Sequence, residues 1–129
     1  MTDRVEFALF LVFLLMLIGG VLDVGRALAY YAVLNDAVQE GAAYGAVFPY
    51  DTQGVQARAL ENAGGFLDPD VVHLEIRFIG RDCAGDGIEV RATMEVPMLF
   101  PLTSMLIPGG KIPITAATTQ TIVHPPCPW

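Results

Sequence analysis

From Phe7 to Leu22 the chain carries no charge. Glu6 stands at the start of this run, and Asp23 and Arg26 stand at its end. An all-apolar stretch beside a short hydrophilic tip reads as a membrane helix, because core helices of soluble proteins rarely run so far without a polar face. The 16 residues of the run fall a little short of the roughly 20 that a full span needs. Ala27 to Leu34 is apolar again, however. Asp23 and Arg26, at i and i+3, can neutralise each other on one helix face, and Arg26 can snorkel. The anchor then extends from Phe7 to about Leu34.

A cleaved secretory signal would need a basic leader and a small-x-small cleavage site. Thr2-Asp3-Arg4-Val5-Glu6 is nearly neutral, and no Ala-x-Ala follows the run. The segment therefore reads as an anchor, single-pass in a cell (inner) membrane. Arg4 is the only basic residue before it, so the positive-inside rule gives little. The cysteines and the polar tail argue for a cytoplasmic N-terminus and a C-terminal domain in the periplasm or outside the cell.

The 129 residues leave room for the anchor and one small domain. The expected division is 1–48, the membrane and projecting helix, and 49–129, the exported domain. That domain is near the lower limit for a self-sufficient core, so packing on the helix or a covalent staple is expected. The net charge is −7, and the seven basic residues are scattered. Nucleic acid and anionic lipid are poor partners for such a surface.

The periodicity predicts one helix from Glu6 to about Val47, apolar all round at first and then amphipathic. Some 42 residues would extend about 60 Å, twice the hydrocarbon thickness. Gly19, Gly20 and Gly25 allow close approach of neighbouring membrane helices. A short helix is predicted over Gln53–Ala63. Val71–Ile79 and Ile88–Val96 alternate apolar and charged residues as a hairpin. In the first strand Val72, Leu74, Ile76 and Phe78 form the apolar face. Leu99–Ile107 is a compact apolar excursion between prolines, and Lys111–Val123 is a third strand. The fold class is α+β, with a three-stranded antiparallel sheet whose apolar face the projecting helix would cover.

Cys83 lies in a polar loop and Cys127 near the end of the chain. A membrane segment precedes both, which favours a disulfide outside the cytoplasm; two free thiols in a cytosolic domain are the alternative. Antiparallel pairing of the third strand beside the second would carry Cys127 back to the Cys83 loop.

Catalytic signatures are missing. Ser104 is the only serine and has no local base, and there is no phosphate-binding glycine loop. His73, His124, Asp82 and Asp86 make a poor metal set, because His73 alternates with Glu75 and Arg77 on a solvent face. No cofactor, metal or small-molecule substrate is expected, and the chain does not read as an enzyme. Glu6 is by its position a helix N-terminal acid favoured by the dipole in the headgroup region, or a carboxylate for a neighbouring subunit's ammonium. Asp23 and Arg26 are a self-paired couple or a contact to another membrane subunit.

Val5-Glu6-Phe7-Ala8-Leu9, the apolar run, Asp23-Val24-Gly25-Arg26 and Asn35 to Tyr44 together resemble the TadE-like family. These are pseudopilins, or minor pilins, of the tight-adherence (Tad/Flp) type IV pilus system. The likeness covers Val5 to about Ala46. It implies a pilin-like structural subunit that assembles through its N-terminal helix. It also implies assembly roles for Glu6, Asp23 and Arg26, and partners that are membrane lipid and other transmembrane subunits. Glu6 would be the family's assembly glutamate, with Thr2 the first residue of the processed chain. Met1 stands where the family has its cleavage-site glycine, and Ala43 replaces a family arginine. Removal of Met1 by ordinary processing, a sequence that starts late, or a fixed place as accessory subunit of a larger respiratory or photosynthetic membrane complex would each account for the missing glycine.

Overall fold

Leucine, alanine and valine dominate the first third of the chain, and the first two are strong helix formers. In the computed structural model, which describes residues 2–128, Thr2–Val47 forms one uninterrupted helix, α1. Its 46 residues extend about 70 Å at 1.5 Å each. Asp3 lies in the first turn, where the helix dipole favours an acid. Phe48 still donates its N–H to the Tyr44 carbonyl, and Pro49, which has no N–H, follows where the helix has ended.

The two halves of α1 have different surroundings. The large apolar side chains from Phe7 to Leu22 are exposed, as the wall of a membrane anchor must be. In the upper half Leu34, Ala37, Val38, Gly41, Ala42, Gly45 and Ala46 are buried at three- and four-residue spacing. Leu34 is wholly buried in the core. The apolar stretch Ala27–Leu34, expected to continue the anchor, therefore already turns one face to the sheet domain.

Asp51 starts the second helix, α2 (Thr52–Asn62): its Oδ1 accepts the Gly54 N–H at 3.0 Å. Tyr44 of α1 donates its hydroxyl to Asp51 Oδ2 at 2.8 Å, tying the cap to the long helix. α2 buries Val55 and Ala59 against α1. Glycine is needed at Gly45, where a Cβ would sit 2.6 Å from Ile88 Cδ1.

Three antiparallel strands follow, β1 (His73–Ile79), β2 (Gly87–Pro97) and β3 (Lys111–Thr121), in the order β1-β2-β3. Ile76 faces Val90 in one register, and Gly87 faces Thr121 in the other. Ile88, Val90, Ala92, Met94 and Val96 of the central strand are all buried, as their alternation requires. α1 lies across β2 and β3. Each large aliphatic chain fully buried in this seam stabilises the fold by about 1.5–3 kcal/mol. β1 is the edge strand on which α1 packs least. Its Leu74 and Ile76 are half-buried and Phe78 is 36% exposed, so the expected apolar face is only partly covered.

β2 runs antiparallel to α1. At one end Ile88 packs beside Gly45; at the other Pro97 lies beside Arg26. The excursion between β2 and β3 continues past that point, along the apolar half of α1. It holds a six-residue helix, α3 (Pro101–Leu106), and a 3₁₀ turn over Pro108–Gly110.

The end of the chain is fastened at the opposite pole. Ile122 is buried, and Val123 donates its N–H to the Ala46 carbonyl at 2.9 Å. Cys83 and Cys127 form a disulfide with Cα atoms 4.9 Å apart. The pairing of Gly87 with Thr121 brings the two cysteines together, by the route their strand order implied.

Candidate functional site

Asp23 is the one charged side chain buried among the described residues. A carboxylate in that position is costly unless donors surround it. Here the donors come from the excursion. The backbone nitrogens of Phe100 and Leu99 lie 3.0 and 3.3 Å from its two oxygens, and the Thr103 hydroxyl donates to Oδ2 as well. Phe100 precedes α3 but caps nothing with its own side chain, and Pro101 has no N–H to satisfy. Asp23 thus acts as the acceptor at the start of α3 from a different element of the fold.

Arg26, one turn higher, donates through Nη2 to the Pro97 carbonyl, where β2 ends. Among the described residues no ion pair joins Arg26 to Asp23; the two charges hold neighbouring points of one segment instead. One turn below Asp23, Gly19 lies under the Phe100 ring. A Cβ there would come within 2.3 Å of the ring, so the contact demands glycine. Gly20 faces Thr103 at an ordinary distance: its Cβ position is 3.8 Å from Thr103 Cγ2.

Gly25 differs from these two. Nothing lies within 4 Å of its Cβ position. It opens a shallow apolar groove on the free side of α1 with Leu17, Val21, Val24 and Leu28. Glu6 is exposed at the far end of the same helix.

Asp23 and Arg26 therefore both hydrogen-bond within the chain, to residues of the segment 97–103. Leu99, Phe100 and Thr103 were not among the residues the sequence singled out. Their signal was present only as an uncharged segment opening with two prolines. Elsewhere, Cys83, Asp86 and Cys127 come close together. Both sulfurs are bonded to each other, and Asp86 Oδ2 accepts the Arg81 N–H at 2.8 Å. No thiolate is left for a metal, and the 3.8 Å approach of Asp86 to Cys83 Sγ is a contact without a proton to share.

Residues 5–43 match the family described as TadE-like protein. Over this segment the chain is similar to TadE-like proteins. No curated protein and no solved structure matches the chain. The TadE-like segment contains Glu6, Asp23 and Arg26 and ends inside α1. Its apolar half is long and apolar enough to fit a single-pass membrane anchor, and its upper half is the stem of the core. α2, the sheet and α3 lie outside the match, so the partners of Asp23 and Arg26 come from the part of the chain that the family match does not cover.

Proposed function

We propose that this protein is a pilin-class structural subunit of a tight-adherence pilus machinery, held in the inner membrane and assembled through α1. The observation that carries the proposal is the TadE-like match over residues 5–43, a segment in which Glu6 stands at the start of the apolar run. Two features of the fold support it. The apolar wall of α1 below Asp23 is exposed, and just above it nothing lies within 4 Å of the Gly25 Cβ position, so a neighbouring helix has room to approach closely there. The upper half of α1 is also part of the domain core, so a force or displacement on the anchor passes to the sheet as one body.

In this reading Glu6, at the membrane threshold, takes the cationic group of a neighbouring subunit. An unpaired carboxylate at the edge of hydrocarbon is unfavourable, and pairing would fix the register between helices. The N-terminus faces the cytoplasm and the domain lies in the periplasm or outside the cell, where a Cys83–Cys127 disulfide persists. The role is structural and calls for no cofactor.

Native purification in mild detergent, with the co-purifying chains identified by mass spectrometry, tests the proposal. Recovery with pilus components is expected, and Glu6→Gln should lose them while still entering the membrane. Recovery only with an unrelated integral-membrane complex would overturn the pilus assignment.

A further inference from the structure

The segment from Pro97 to Gly110 contains no charged residue. A surface excursion of a soluble domain is normally polar, because nothing but water meets it. This one exposes Leu99 at 73%, Met105 at 83% and Leu106 at 74%. It is also held low on α1: Phe100 sits on Gly19 and Thr103 on Asp23. These positions belong to the wall of the anchor.

The depth follows from the helix rise. From Phe7 to Arg26 there are 20 residues, which rise about 30 Å, the thickness of a bilayer's hydrocarbon core. With Glu6 at the inner boundary, Arg26 marks the outer one. Gly19, seven residues below Arg26, then lies about 10 Å inside that boundary. The charges of the domain agree with this level. Glu95 and Lys111 form an exposed ion pair at the ends of β2 and β3, just before and just after the uncharged segment. Below that belt of Arg26, Glu95 and Lys111 the strand connection carries no charge, and before Glu6 the helix carries only Asp23, which is buried and hydrogen-bonded to the excursion.

We infer that residues 98–107 are a second membrane element, a short foot that enters the leaflet on the domain's side and lies against the anchor among lipid acyl chains. The inference rests on α1 spanning the bilayer. The bonds to Asp23 then have a clear physical purpose. Backbone N–H groups that enter hydrocarbon must be satisfied within the protein. Asp23 accepts those of Leu99 and Phe100, and the foot in turn shields the Asp23 carboxylate from lipid. The foot adds exposed apolar surface continuous with that of α1, and it fixes the tilt and rotation of the sheet domain on the membrane, which a lone helix would leave free. The occupant of its apolar face is the acyl layer of the bilayer. A second copy of the chain is the competing occupant.

The test places single tryptophans in the full chain, with the native Trp129 replaced by Phe. Met105→Trp reports on the foot and Val12→Trp on the part of the anchor in the opposite leaflet; both side chains are exposed, so neither change disturbs the core. The proteins are reconstituted into phosphatidylcholine vesicles with bromine at shallow or deep acyl positions. The expected result is that both Val12→Trp and Met105→Trp are quenched by acyl-chain bromines, with Met105→Trp shielded from aqueous iodide at every protein-to-lipid ratio. Quenching of Val12→Trp while Met105→Trp responds only to iodide overturns the foot and leaves the anchor standing. Protection of Met105→Trp that appears only at high protein-to-lipid ratio, without bromine quenching, overturns it in favour of a second copy. A Val12→Trp signal that no bromine reaches overturns the anchor and the foot together.

Discussion

Asp23 and Phe100 are 77 positions apart in sequence, yet the carboxylate of one lies 3.0 Å from the backbone nitrogen of the other. This bond fastens the connection between β2 and β3 to the membrane helix. Asp23→Leu removes the acceptor for Leu99, Phe100 and Thr103 together, whereas Asp23→Asn keeps one oxygen. Limited proteolysis in detergent micelles should cut between residues 97 and 110 fastest in Asp23→Leu, more slowly in Asp23→Asn and slowest in the wild type. Equal resistance of Asp23→Leu and wild type would show that the socket does not hold the segment.

Gly19 and Gly25 should respond oppositely to the same change. Gly19→Val forces the Phe100 ring away, and overpacking of this kind costs about 1–3 kcal/mol. Phe100→Ala in the same chain should recover most of that loss, and a double-mutant cycle on thermal unfolding measures the coupling. Gly25→Ala meets open space and should stabilise the helix by up to about 1 kcal/mol. Gly25→Leu should leave the monomer folded and weaken assembly with neighbouring helices, read by crosslinking in membranes.

Reduction of the Cys83–Cys127 bridge should destabilise the domain by about 4 kcal/mol if the chain-entropy account holds for a loop of 44 residues. Differential scanning with and without reductant measures the loss. Non-reducing peptide mapping should show the two peptides linked. Alkylation of both cysteines in the oxidised, folded protein would contradict the bridge and, with it, the exported orientation.

The Tyr44–Asp51 bond makes a pH prediction outside the membrane. The Tyr44 hydroxyl, and after it the Gly54 N–H, hold the Asp51 carboxyl below its usual value. A depressed carboxyl contributes stability above its unfolded pKa, near 3.9, and loses it as pH falls through the folded value. The same bond raises the Tyr44 hydroxyl above its usual value, chiefly by hydrogen bonding to Asp51. That contribution is full below about pH 10 and fades as pH rises through the folded value. Tyr44→Phe should therefore flatten both the acid and the alkaline limbs of the stability curve. Carboxyl NMR should show the Asp51 titration moving up toward its ordinary range, and an unmoved Asp51 would remove the tyrosine from the account.

The local elements were legible in the sequence because each rests on a pattern read over a few residues. An uncharged run followed by three- and four-residue spacing is α1, and strict alternation from Ile88 to Val96 is a half-buried strand. The cysteine pairing was legible too, since antiparallel order fixes which strand ends meet. The functional readings of Asp23, Arg26 and Gly19 needed the tertiary structure. Asp23 and Arg26 are the right spacing for a pair, and only the return of β2 to the membrane end of α1 supplies Leu99, Phe100, Thr103 and the Pro97 carbonyl as competing partners. Likewise the alternation of β1 predicts an apolar face but not whether anything covers it. Phe78 is exposed because α1 crosses β2 and β3 and packs least on the edge strand. Period and composition act over neighbouring residues. The choice of partner for a buried carboxylate, or of cover for a strand, is made by which distant segments the packing brings within a few ångströms.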